Sequence, residues 1–235
     1  MNEHKRLVHF QKVVQHPFSV LAGGFILLLA TQLFGSVALQ FLSKTTSEPV
    51  RLATLLLVSF LALLLILTVL LKLAGKSWRN FGMRKPEGRW IRLLISSSIL
   101  YVLLSVTLMT VATLVLPGFD ATQTQEVGLT KLGSPTELVL GFVSLVILTP
   151  IIEEIIFRGV IFRGLSRTLP LWFAVGFSSV LFAVAHGQWN VALDTFVLGI
   201  FLAYVTHKTG SLIPAILLHA LKNGVAYVLL FVVAR

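Results

Sequence analysis

Seven long apolar stretches, separated by short polar and basic connections, dominate the chain: about Pro17–Leu42, Val50–Leu73, Trp90–Leu116, Thr136–Val160, Leu171–Ala185, Val191–Thr206 and Leu212–Val233. A run of about 18 or more apolar residues is long enough to cross the roughly 30 Å hydrocarbon core of a bilayer as a helix. The pattern predicts an all-α fold, a polytopic membrane helix bundle with about seven transmembrane helices. Residues 117–135, rich in Thr, Gln and Gly, are predicted as a loop, and no internal repeat or low-complexity tract is visible. Spans one to three hold nothing ionisable in their middles, only Ser, Thr and Gln that can bond across helices or to their own backbone. Residues 1–135 therefore read as scaffold, with Gly23, Gly24 and Gly35 allowing close helix contact, and residues 136–235 as the functional region of one membrane domain.

Composition agrees with the pattern. Hydrophobic residues make up 56% of the 235 positions and charged residues only 12%, far from the make-up of soluble domains. The net charge of +10 would suit a nucleic-acid partner, but its basic residues sit in short loops, where Lys and Arg mark the cytoplasmic side. No nucleic acid is expected, and the lipid bilayer is the surrounding partner. Lys5, Arg6 and Lys12 precede span one, seven basic residues from Lys72 to Arg92 fill the second connection, and Arg158, Arg163 and Arg167 follow. This alternation predicts a cytoplasmic amino terminus; the compact chain with short loops favours a bacterial plasma membrane. Absence of cysteine removes disulfides and thiolate metal sites. No cleavable signal is expected, because Met1–His16 is polar and basic and the first apolar run is longer than a signal core.

Candidate chemistry enters with the stretch TPIIEEIIFRG at Thr149–Gly159, which puts Glu153, Glu154 and Arg158 inside span four. A central charge in a membrane helix costs about 2.5–3.5 kcal/mol on insertion scales, so all three need partners or water. Glu154 and Arg158 are four apart with the acid first, the favourable order for a pair on one helix face. Glu153, about 100° round the helix, has no such neighbour and is the carboxylate left for chemistry. Phe182 and His186 share a face of span five, as His219 and Asn223 do of span seven. A glutamate and a histidine can hold and deprotonate a water, while a second histidine and an asparagine can donate to a developing oxyanion. Three other readings stay open on these residues: a structural ion pair, a proton-coupled transporter path, and a zinc site of Glu153, His186 and His219 with an open position for water. No H-E-x-x-H pair is present to favour zinc.

In order along apolar helices, these positions resemble the CPBP intramembrane proteases, which include the CAAX prenyl endopeptidase and the bacterial Abi-type, bacteriocin-associated proteins. E-E-x-x-x-R is matched by Glu153, Glu154 and Arg158, F-x-x-x-H by Phe182 and His186, and H-x-x-x-N by His219 and Asn223. Thr209, Gly210, Ser211, Leu212 and Pro214 also look like the run before the family's last motif. The resemblance covers about Thr136–Leu230. It implies an intramembrane endopeptidase, glutamate-dependent or metal-dependent, acting on a membrane-anchored or hydrophobic peptide or protein. Glu153 and His186 would activate water, His219 and Asn223 would form the oxyanion site, and Glu154, Arg158 and Phe182 would support them. A role in peptide maturation, bacteriocin self-immunity or membrane-protein turnover is then expected; a peptide-binding immunity protein without catalysis is the alternative.

At a rise of about 1.5 Å per residue, the proposed span ends put Glu153 and His219 at different depths from His186. The site therefore requires helix four to continue past Val160 toward Leu165, or helix five to tilt, and it predicts a wet conical cavity open to the cytoplasm. Asp194 is read as an acid favoured by a helix amino terminus rather than as a cavity residue. His4, His9, His16 and His207 are expected at the interface, and Trp78, Trp90, Trp172 and Trp189 in the aromatic belt.

Overall fold

The computed structural model describes residues 16–121, 123, 129 and 132–233. Lys5, Arg6, Lys12, His4, His9, Glu126 and Lys131 lie outside the described residues. In chain order the helices are α1 Pro17–Leu39, α2 Glu48–Leu73, the single-turn α3 Trp78–Phe81, α4 Trp90–Val115, α5 Pro135–Leu165, α6 Leu171–Val184, α7 Trp189–Thr209 and α8 Ile213–Val233. Six are long and apolar enough to cross a membrane, and α6, at 14 residues, is a shorter apolar helix. The polytopic all-α bundle is thus as expected, with span five stopping short because Gly187, at φ +69°, turns the chain just beyond it.

Local chemistry fixes the helix starts. Ser134 accepts the Glu137 N–H at 3.2 Å and Glu137 reaches back to the Ser134 N–H at 3.2 Å, with Pro135 opening α5; this reciprocal cap satisfies two donors that a helix start leaves bare. Successive spans are antiparallel, so the α2–α4, α5–α6 and α7–α8 connections gather at one end of the bundle. That basic end is tightly bonded. Arg163 donates to the Phe81 carbonyl at 2.8 Å and to the Gly210 carbonyl at 2.7 Å, and Arg84 donates to the same Gly210 oxygen at 2.8 Å. Gly210, at φ +61°, makes the left-handed turn that aims this carbonyl at both guanidinium groups.

Outer faces of α1, α2 and α4 expose Phe25, Leu61, Ile99 and Leu103, as helices in lipid should. Inward, α1 and α2 approach closely: Ser59 donates to the Thr31 carbonyl at 2.8 Å, and a Cβ on Gly35 would stand 2.9 Å from the Leu55 carbonyl oxygen. Gly24 packs on Ile161. Gly23 does not share that role, since nothing lies within 4 Å of a Cβ placed there; it lies about 100° round the helix from Gly24.

α5 is continuous to Leu165 but uneven, with wide i→i−5 turns over Val143–Leu148 and Ile155–Phe162 around an α segment Thr149–Glu154. Such turns are rare and gather at functional sites. Here Pro150 supplies one cause, because it has no N–H to offer the preceding turn.

Candidate active site

Arg158 and Glu154 are buried completely, with Nη1 3.0 Å from Oε1. The guanidinium also donates to the Gly199 carbonyl of α7 at 3.2 Å and lies 4.3 Å from the centre of the Phe182 ring. Phe182 is itself fully buried and meets the rings of Phe157, His186 and His219 edge-on. The aromatic residue of the second motif therefore serves as the wall on which the arginine and both histidines rest.

His219 lies between the two glutamates. Its Nδ1 is 3.0 Å from Glu154 Oε1 and its Nε2 is 3.6 Å from Glu153 Oε2. A carboxylate only accepts, so Nδ1 carries the hydrogen and Nε2 faces Glu153. Glu153, without a partner along its own helix, meets His219 of α8 across the bundle, a contact that could not be read along one helix. Glu153 Oε2 is buried and has no hydrogen-bond partner among the described residues, while the side chain as a whole remains 26% exposed.

His186 sits in the turn after α6, where its Nδ1–H donates to the Phe182 carbonyl at 2.8 Å. In the neutral ring this leaves Nε2 as an acceptor. Asn223 donates through Nδ2 to the Leu145 carbonyl at 3.0 Å. That carbonyl is free for a reason: the Thr149 N–H goes to Ser144 instead, and residue 150 is proline. One amide hydrogen of Asn223 thus completes the broken turn of α5, and the other remains.

Glu153, His186 and Asn223 all line one cavity of about 830 Å³, a size that suits a peptide segment rather than an ion. The levels match because α5 reaches Leu165, as required, and α6 is short. The cavity also takes walls from the first half of the chain, through Gln32 of α1, Leu52 of α2 and Met109 of α4. Asp194 is corrected too. It lies six residues into α7, lines the cavity, accepts hydrogen bonds from Tyr101 and Ser105 of α4, and is 3.7 Å from Lys222. Sequence reasoning passed over Lys222, Tyr101 and Ser105. Lys222 stands one residue before Asn223 within an apolar helix, and Tyr101 and Ser105 repeat at helical spacing.

Residues lining the cavity above the glutamates, such as Ala121, Gln123, Asn190 and Leu230, belong to the end away from the basic connections. Asn190 donates to the Gln123 carbonyl at 3.0 Å and Trp189 packs edge-on against Phe119, tying the 117–123 segment to the start of α7 beside the opening. Toward the basic end Leu165, Leu212 and Phe162 are buried.

As placed, Glu153, His186 and His219 do not fit a zinc ion: among the described residues no three His, Asp or Glu side chains group as ligands, and both His219 nitrogens face carboxylates.

Neither a curated protein nor a solved structure matches the chain. Residues 135–225, which carry every motif side chain above, match the family described as type II CAAX prenyl endopeptidase Rce1-like. The match supports a likeness to the CPBP intramembrane proteases over this region.

Proposed function

We propose that the chain is an endopeptidase that hydrolyses a peptide bond of a hydrophobic or membrane-anchored polypeptide held in the cavity, using water activated by Glu153 and His186. The observation that carries this reading is the His219 ring set between two glutamates, 3.0 Å from one and 3.6 Å from the other, beside the cavity. Arg158 pairs with Glu154, and Glu154 in turn holds the Nδ1–H of His219. A gap of 3.6 Å is too long for a hydrogen bond; a shared proton drawn in as substrate closes the site, or a bridging water, would fill it.

Water hydrogen-bonded to His186 Nε2 gives a proton to Glu153 as its oxygen bonds to the scissile carbonyl carbon. The resulting oxyanion is met by the remaining amide hydrogen of Asn223 and by protonated His219 Nε2. The proton then passes to the departing nitrogen as the C–N bond breaks, leaving a carboxyl and an amine product. Glu154, Arg158 and Phe182 touch none of the reacting atoms and act by positioning His219 and His186.

The test is cleavage of a membrane-anchored reporter peptide by the purified protein in lipid. Glu153→Gln and His219→Ala are each expected to lower kcat by at least 100-fold, the scale of a lost acid–base or oxyanion group, with the helical circular dichroism unchanged. Cleavage at the normal rate by folded Glu153→Gln would end the proposal. A peptide-binding protein without catalysis would retain binding and show no cleavage in any variant, and a transporter would lose proton-coupled uptake instead.

A further inference from the structure

Two charged side chains meet inside the cavity without a part in the hydrolytic step. Lys222 of α8 and Asp194 of α7 both line it, with Nζ 3.7 Å from Oδ2. Within a membrane span a Lys or an Asp is costly, and a pair facing a cavity points to a functional path. The two are held very differently. Asp194 Oδ1 accepts from the Tyr101 hydroxyl at 2.8 Å and from the Ser105 hydroxyl, which fixes the carboxylate to α4. Lys222 has three N–H donors and, among the described residues, no acceptor within hydrogen-bond distance. A pair built only to tie helices together would close to about 2.7–2.9 Å. Asp194 therefore steers the ammonium while leaving its donors available.

Position indicates which part of a substrate those donors face. Lys222 stands about one turn beyond His219 and directly before Asn223 on α8, the two residues assigned to the oxyanion. At about 100° per residue it leaves the helix on a different side from Asn223, so it serves a second oxygen. In an extended chain successive residues advance about 3.3 Å and face alternate sides; a carbonyl beside the scissile one therefore passes along the same wall. That wall is largely apolar, through Leu145, Val191 and Ala226, and a few placed polar groups in an apolar cavity fix the orientation of what binds there. The acceptor is a neutral one. A carboxylate brought to Lys222 would also stand beside Asp194, with Glu153 in the same cavity, whereas a carbonyl meets no such opposition.

We propose that Lys222, steered by Asp194, is a substrate-binding residue: its ammonium donates to a backbone carbonyl next to the scissile bond and fixes the register in which the polypeptide lies against Glu153. The ligand it takes is an extended, uncharged stretch of peptide backbone. The inference rests on the proposed function for the presence of a polypeptide in the cavity. Binding is measured apart from cleavage, so the two fail separately.

The test uses the full chain carrying Glu153→Gln, held in lipid nanodiscs, and a pool of apolar peptides with acetylated and amidated ends as the probe. Retained peptides are identified by mass spectrometry and their Kd values measured singly. Adding Lys222→Met or Lys222→Gln is expected to raise Kd about 10-fold or more, the scale of a lost hydrogen bond to a charged group, while Lys222→Arg keeps most of the affinity. Replacing single amides by esters weakens one carbonyl acceptor at a time; at one position the ester should raise Kd in the parent and add nothing in Lys222→Met. Free-acid versions of the same peptides should bind no better than the amides. Unchanged Kd in both neutral variants overturns the proposal. So does an ester pattern identical in parent and variant, a pool from which nothing is retained, or a loss confined to free-acid peptides, which would make the ligand a terminal carboxylate. Two neutral replacements keep the result readable if one fails to fold. Lys222-dependent, ester-sensitive binding in a chain that cleaves nothing with Glu153 restored would end the proposed function and leave this inference standing.

Discussion

Replacing Arg158 by Met tests the electrostatic support of the site. The guanidinium makes a 3.0 Å contact to Glu154 and a 3.2 Å hydrogen bond to the Gly199 carbonyl, and stands 4.3 Å from the Phe182 ring centre, all without solvent exposure. Removing one partner of a buried ion pair strands the other charge and costs about 3–5 kcal/mol. At about 2–4 °C per kcal/mol for a chain of this size, Tm in detergent should fall by roughly 6–20 °C. The informative comparison is the double variant Glu154→Gln/Arg158→Met. Glutamine keeps an oxygen for the His219 Nδ1–H, and a buried pair replaced as a whole is often nearly neutral, so most of the lost Tm should return. Cleavage should not, because a neutral amide brings no negative charge to the imidazole that meets the oxyanion. Tm is read by intrinsic fluorescence and cleavage with a reporter peptide. If Arg158→Met costs less than about 1 kcal/mol, or the double variant is no more stable than the single, the ion pair is not what holds Glu154 and His219.

Asn223→Ala should lose about 1–3 kcal/mol by leaving the Leu145 carbonyl unpaired, and adding Pro150→Ala, which restores an N–H to that turn, should recover part of it; additive losses in a double-mutant cycle would refute the link. Gly199→Ala places a Cβ 2.9 Å from Ser179 Cβ, so separation of α6 from α7 should cost about 1–3 kcal/mol and raise KM more than it lowers kcat, measurable in the same cleavage assay. Asp194→Asn weakens an acceptor shared by Tyr101, Ser105 and Lys222; a Tm drop without loss of kcat is expected, and loss of kcat at unchanged Tm would place Asp194 in the chemistry. A strong chelator should leave cleavage unchanged, since no ligand group is formed; inactivation reversed by zinc would show that the site rearranges around a metal.

The hydrophobic pattern was sufficient for the spans: α2, α4 and α7 start or end within about two or three residues of the apolar stretches, because lipid leaves a backbone little choice but helix. Pairing of Glu154 with Arg158 was equally legible, since four residues along one helix fix it. Motif order gave the resemblance to the intramembrane proteases before any contact was known. Three matters needed the packed bundle. The contact between Glu153 and His219 joins α5 to α8 across 66 positions of sequence, and nothing local encodes such a distance. The role of Asn223 depends on which carbonyl Pro150 leaves free, a consequence of wide turns whose register is set by packing. The bonding of the basic end, by Arg84, Arg163 and Gly210, joins residues far apart in sequence. Composition and periodicity act along a single helix and so determined the helices and their chemistry; the meeting of side chains and the bonding of one end are properties of several helices at once, which only the tertiary structure decides.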